Sequence, residues 1–271
     1  MTEALHLHST EIVGPGATPD QWLLLLHGIY GAGRNWSSVG RRLVRERPEW
    51  GVLAVDLRGH GNSPRMEPPH SIAACAMDLE ELVVSGGYPA TGVIGHSFGG
   101  KVALEFGRSA KQPPEQVWVV DSTPDVRPPG GTAWNMLAVL REHPGPFPER
   151  SAVVDAVASH GFPIPVAQWM ATNAVSGEDG MVWRLDAEQM ETLLTSFFET
   201  DAWEAVEAPR DGTHLHFIKA TESGVLAPES VERIRAAEAA TGRVSFHEVE
   251  GGHWLNADNP HALHELLLRH L

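Results

Sequence analysis

In Gly95-His96-Ser97-Phe98-Gly99-Gly100 a serine stands between two glycines in the spacing G-x-S-x-G. That spacing is the signature of a nucleophile elbow, a sharp strand-to-helix turn that lifts a hydroxyl clear of a sheet. Ser97 becomes a useful nucleophile only when a base takes its proton, and the candidate base is His253, in Glu250-Gly251-Gly252-His253-Trp254. An acidic residue must then hold the imidazole tautomer and stabilise the imidazolium. Two backbone N–H groups must meet the oxyanion. These are assigned to Phe98, directly after the nucleophile, and to Ile29, in the glycine-rich stretch His27-Gly28-Ile29-Tyr30-Gly31-Ala32-Gly33.

These residues need elements to carry them. Thr91 to Ile94 reads as a short apolar strand leading into the elbow, and Lys101 to Arg108 as the helix leaving it. Side chains at positions 95 and 99 are expected to collide with neighbouring backbone. Gln21 to Leu26 and Val52 to Val55 are continuous apolar runs, the mark of strands buried on both faces. Helices are expected over Asn35 to Glu46 and, capped by Ser71, over Ile72 to Val84. A strand over Gln116 to Val120 ends at Asp121, and Leu5 to Val13 is expected as an antiparallel edge strand. Alternating strands and helices at this spacing predict an α/β fold with a mostly parallel sheet covered on both sides.

The rhythm breaks after Asp121. Residues 122–211 carry helical patterns at Ala133 to Glu142, Arg150 to Ser159, Val166 to Ala174 and Ala187 to Thr200, with Trp134, Trp169, Trp183 and Trp203 among them. A strand returns at His214 to Ala220, so this segment is read as an inserted helical cap, with 1–121 and 212–271 as one core. A helix at Pro228 to Thr241, a strand at Val244 to Val249 and a final helix near Asp258-Asn259-Pro260 complete the chain. Ligands bind beyond the carboxyl ends of strands in such sheets, and His27, Ser97, Asp121 and His253 each follow a predicted strand.

Composition narrows the partners. The 271 residues include 35 acidic against 20 basic side chains, a net charge of −15 that disfavours nucleic acid and anionic membrane. The only cysteine, Cys75, shares a helical face with Ile72, Leu79 and Leu82 and reads as a buried small hydrophobe. No internal disulfide, signal peptide or membrane-spanning run is expected, which points to a cytoplasmic protein. His6 with His8, and His214 with His216, could each share a strand face; lacking a third ligand they are read as surface histidines, and no metal or cofactor is expected. His96 is expected to point away from Ser97, His60 to brace its own loop, and Asp56 to stabilise a turn by pairing with Arg58.

His27-Gly28, Asp56-Leu57-Arg58-Gly59-His60-Gly61-Asn62-Ser63, Gly95 to Gly100 and Gly252-His253-Trp254 together resemble the marker blocks of the α/β-hydrolase superfamily, in its order and over nearly the whole chain. The chain most resembles the small YbfF-type serine esterases. The resemblance implies an eight-stranded sheet with a helical cap after the sixth strand, and hydrolysis of acyl esters or thioesters. In one place the pattern departs. The superfamily's acid usually follows the seventh strand, where this chain reads Ala220-Thr221-Glu222-Ser223-Gly224 with no aspartate. Glu222 is one candidate. Asp121, ending the strand beside the elbow strand and about 5 Å across the sheet, is the other, and the YbfF-type esterases resemble this chain in carrying an aspartate there.

The expected activity is therefore that of a serine carboxylesterase or thioesterase acting on a small molecule with an apolar acyl group. Met181 and Trp183 are the cap residues expected to touch it. The same fold and side chains also serve C–C bond hydrolases, lyases and cofactor-free peroxidases, and a hydrolase scaffold can serve as a non-catalytic small-molecule receptor.

Overall fold

The computed structural model describes residues 6–271. In chain order it comprises β1 (Ser9–Ile12), β2 (Gln21–Leu26), a 3-10 turn (Gly33–Trp36), α1 (Ser37–Glu46), β3 (Trp50–Val55), α2 (Ile72–Gly86), β4 (Ala90–His96), α3 (Phe98–Ser109) and β5 (Gln116–Val120). Then come α4 (Gly131–Glu142), α5 (Arg150–Ser159), α6 (Ile164–Ala171), β6 (Ala174–Ser176), β7 (Met181–Trp183), α7 (Ala187–Glu199) and α8 (Trp203–Glu207). The chain ends with β8 (His214–Ala220), α9 (Pro228–Thr241), β9 (Val244–Val249), α10 (Leu255–Asp258) and α11 (Pro260–His270). Among the described residues no helix is long and apolar enough to cross a membrane.

Seven strands form the main sheet in the order β1-β3-β2-β4-β5-β8-β9, all parallel except the edge strand β1, which runs antiparallel to β3. Alternation along β2 sends Leu24 and Leu26 to one face, with Val55, Val93 and Val102, and Leu23 and Leu25 to the other, with Trp36, Leu43, Ile94 and Trp118. Both faces are covered, so each buried leucine contributes about 1.5–3 kcal/mol and the strands read as unbroken apolar runs. The eighth strand that the resemblance implied is absent among the described residues. Between β1 and β2 the chain carries Pro15, Pro19 and two glycines, which cannot continue a ladder. The expected edge strand is also shorter than Leu5 to Val13; Leu5 lies outside the described residues.

Two loops that follow strands at the functional edge are tied together by neutral histidines. His27 Nδ1 donates to the Gly28 carbonyl (2.7 Å), and its Nε2 accepts from Leu57 N–H (3.0 Å). His60 Nδ1 donates to the Arg58 carbonyl (2.9 Å), and its Nε2 accepts from Tyr30 N–H (3.1 Å). Burial pushes His27 down to about 4, and burial together with His27 pushes His60 down to about 3. Asp56 does not pair with Arg58 as expected. Its carboxylate accepts from the Gly33 and Asn62 N–H groups (2.7 and 2.8 Å) and lies 3.0 Å from His8 Nδ1. Arg58 instead reaches α2 and forms a two-pronged, buried pair with Asp78, both contacts 2.7 Å, because that carboxylate matches its planar fork.

Other departures are local. The sequence reading of residues 122–211 as purely helical missed β6 and β7, an antiparallel ribbon of three-residue strands too short to show periodicity. His216 is not a surface histidine: it is buried and stacked on Trp118 with ring centroids 3.8 Å apart, because β8 lies inside the sheet between β5 and β9.

Replacing Asp78 with alanine leaves the Arg58 guanidinium buried and unpaired, and should cost about 3–5 kcal/mol of unfolding free energy by urea titration; a loss below 1 kcal/mol would contradict the assignment. Because His27 and His60 fold neutral, the unfolded chain takes up protons first on acidification. Stability should therefore fall as pH drops from about 6.5 toward 4, by up to roughly 2.7 kcal/mol per pH unit for the two groups. Urea midpoints at pH 7, 6 and 5 test this, and the decline should be about half as steep from these groups in His60→Gln.

Candidate active site

The elbow forms where β4 turns directly into α3. Ser97 sits at the junction with φ 53 and ψ −116, a conformation rare for a side-chain-bearing residue. A Cβ built on Gly95 would lie 1.9 Å from the Gly99 carbonyl oxygen, and one on Gly99 would lie 2.6 Å from that of His27. Both glycines are thus demanded by backbone contact, as the spacing predicts. The three non-glycine residues with positive φ among the described residues are Tyr30, Ser97 and Asp121. Each such residue costs on the order of 1–3 kcal/mol, and all three follow strands at the same edge.

Asp121 continues from β5 and is fully buried. His253 Nδ1 donates to its Oδ2 at 2.6 Å, Ser223 Oγ donates to the same oxygen at 2.5 Å, and Ala220 N–H donates to Oδ1 at 3.1 Å. Burial alone would raise the carboxyl's pKa. The hydrogen bonds from His253 and Ser223, with the His253 charge and the Ala220 amide, outweigh it and hold Asp121 below the ordinary carboxylate range. With Nδ1 committed to Asp121, the other nitrogen of His253, Nε2, carries the lone pair. Glu222 is exposed and joins the site only through its backbone, whose N–H donates to the Gly251 carbonyl (3.0 Å).

Ser97 is half-buried, and among the described residues its hydroxyl makes no hydrogen bond, to His253 or otherwise. Its surroundings bring the two loops close. A Cβ on Gly28 would sit 3.4 Å from Ser97 Cβ and 3.1 Å from His96 Nδ1. Among the described residues the N–H groups of Ile29 and Phe98 have no acceptor, whereas the neighbouring Tyr30 N–H is spent on His60. Phe98 opens α3, so its N–H points out of the positive end of the helix.

His96, expected to point away from Ser97, packs against His253. It is buried, its ring lies 4.6 Å from that of His253, and its Nε2 donates to the His253 carbonyl at 2.7 Å. Burial, with the neighbouring His253, lowers it to about 3, so it holds the His253 backbone as a neutral donor.

Met181 and Trp183 lie on β7, packed against Phe147, and the Trp183 indole donates to the His143 carbonyl (2.7 Å). Trp183 also borders a cavity of about 280 Å³ between loop Gly59–Arg65 and Gln189, whose lining includes neither Ser97 nor His253. From the inserted segment Trp169 also reaches the loop that carries His253, its ring lying 5.9 Å from that of Trp254.

Several contributors escaped the sequence reading. Ser223 lies next to the glutamate that drew attention, in no motif. Lys101, on the apolar side of α3, is fully buried and donates to the carbonyls of Asp125, Phe197 and Thr200 at 2.7–2.9 Å, tying both ends of the inserted segment to the elbow helix. Burial, with Arg127 nearby, lowers it to about 8. Its one hint was a lysine between Gly100 and Val102 where the helix needs apolar surface. Asn173 donates to the Tyr30 carbonyl (2.8 Å), and Tyr30 Oη donates to that of Ala133 (2.8 Å), so the same segment also grips the loop after β2.

Comparison with known proteins bears on the family and the fold. The chain is 28% identical to an sn-1-specific diacylglycerol lipase of Mus musculus over 245 residues, which cover 88% of this chain and 76% of the relative. It is 26% identical to Esterase YbfF of Escherichia coli over 92% of both chains. The solved structure of a marine microorganism esterase superposes with a TM-score of 0.84 at 22% identity, covering 99% of this chain and 100% of that one. Residues 23–266 match the model of the alpha/beta hydrolase family. That match runs from the first buried strand into the last helix, and the chain belongs to the alpha/beta hydrolase family.

Proposed function

We propose that the protein is a serine hydrolase that cleaves carboxylic esters or thioesters through an acyl-Ser97 intermediate. The observation that carries this reading is the 2.6 Å bond from His253 to a buried, charged Asp121 at the edge where the strained Ser97 elbow sits. In the proposed reaction the Ser97 hydroxyl attacks the acyl carbon while His253 Nε2 takes its proton. The tetrahedral oxyanion accepts hydrogen bonds from the Ile29 and Phe98 N–H groups, each donor contributing about 2.7–4 kcal/mol of barrier lowering. His253 then protonates the departing alcohol or thiol. Water, deprotonated by the same ring, releases the acid and restores Ser97. The Ser97–His253 hydrogen bond forms as substrate excludes water, since such bonds are often long or misaligned in unliganded enzymes.

Asp121 is the acid in this reading because its carboxylate meets the imidazole, while Glu222 is exposed to solvent. Ser223 and Ala220 keep it charged, and His96 positions the histidine backbone. Residues 122–211 act as a cap. Their aromatic content suits an apolar acyl group, with Met181, Trp183 and Trp169, which packs near Trp254, as the residues to test for contact with it. The lipase and esterase activities of the relatives fit an ester of this kind, and the net charge of −15 fits a small-molecule partner rather than nucleic acid. A cytoplasmic location belongs to the same proposal and rests on the single, buried cysteine.

With p-nitrophenyl esters of increasing acyl length and the matching thioesters, wild-type protein should turn over substrate and lose activity on acidification, because a protonated His253 cannot accept the serine proton. Asp121→Asn should lower kcat by on the order of 10³–10⁴, the scale of a lost triad acid. Glu222→Gln should leave kcat within about twofold, since its exposed side chain touches no reacting group. The reverse pattern would overturn the assignment.

A further inference from the structure

Away from Ser97, the C-terminal ends of α4 and α5 meet. Glu142 is the last residue of α4, His143 caps it, and His160 caps α5. One ligand-capable atom from each of these three side chains lies within 4.8 Å of the others, and Glu142 Oε2 is 3.6 Å from His160 Nε2. The imidazoles are nearly perpendicular, with centroids 5.3 Å apart.

We propose that Glu142, His143 and His160 form a binding site for a divalent first-row transition-metal ion, zinc being the fitting one. Zinc holds imidazole nitrogen at about 2.0–2.1 Å and carboxylate oxygen at about 2.0–2.2 Å, so tetrahedral ligands lie roughly 3.3–3.5 Å apart. The measured 3.6 Å separation is already close to that edge, and two imidazoles with one carboxylate are a donor set zinc favours. Two adjacent residues inside a helix point about 100° apart. His143 escapes this because its φ of −126 and ψ of 69 have left the helix, which lets its ring converge with the Glu142 carboxylate. The Trp183 indole holds that exit by its bond to the His143 carbonyl. Two helix C-termini place their negative ends at one point, which favours a cation there.

Three protein ligands leave a fourth position for water. The bound ion would staple α4 to α5 within the inserted segment and stabilise it without entering the ester chemistry. This inference does not depend on the hydrolase reading.

Untagged, full-length protein stripped with chelator and titrated with zinc chloride by calorimetry should bind one equivalent with a micromolar Kd, and its melting temperature should rise with zinc. Glu142→Gln, at an exposed position, should weaken binding about tenfold or more. His160→Ala should do the same and abolish the thermal shift, with an unchanged circular dichroism spectrum. No binding at 100 µM zinc would overturn the proposal. So would binding that neither variant weakens, which would move the ion elsewhere, for instance to His216 and His247, whose ring nitrogens lie 3.2 Å apart.

Discussion

A carboxylate taken out of water is costly, and Asp121 has no exposure at all. It persists as an anion because three donors converge on it, one each from the ends of β8, the Ser223 turn and the His253 loop. That requirement links Asp121 to residues 99, 102 and 132 positions further along the chain. The sheet order β5-β8-β9 satisfies it by setting the three strand ends side by side. Were the register of β8 to slip, Ala220 and Ser223 would no longer face the carboxylate, and His253 would lose the partner that sets its tautomer. Asp121 itself adopts a φ of 44, so the backbone is strained to make the contact.

The opposite side of the elbow is organised by neutral hydrogen bonding. His27 and His60 each use one ring nitrogen as donor and the other as acceptor, and together they bind the loops after β2 and β3 into one unit. Tyr30 is consequently locked, with its N–H on His60 and its carbonyl on Asn173, while the adjacent Ile29 N–H remains unspent. Lys101 supplies the corresponding anchor on the far side, where one ammonium gathers three carbonyls from the two ends of the inserted segment. The inserted segment is thus held to the loop after β2 and to α3 by polar contacts, and the sheet beneath by apolar ones.

What could be read from the sequence follows from how local each cause is. Gly95 and Gly99 were legible because backbone collision is decided within five residues, and the buried strands because both their faces are apolar. Asp121 could be named because it ends a strand. That Ser223 and Ala220, a hundred residues away, donate to its carboxylate is announced by no spacing. The partner of His96 was illegible for a related reason: alternation along a strand gives its face, but the neighbour on that face is a loop from the far end of the chain. Arg58 was assigned to the nearest acid, Asp56, whereas its fork found Asp78 on a separate helix. The β6–β7 ribbon and the burial of His216 likewise come from tertiary neighbours.

In the proposed reaction the Ser97 hydroxyl is the group that becomes acylated. Incubation with a fluorophosphonate, followed by digestion and mass spectrometry, tests it directly, since such a probe forms a stable bond only with a serine whose proton a base can remove. Stoichiometric modification of the peptide containing Ser97 is expected, and its loss when His253 is replaced by alanine. An unmodified protein, or a label carried by any other residue, would contradict it.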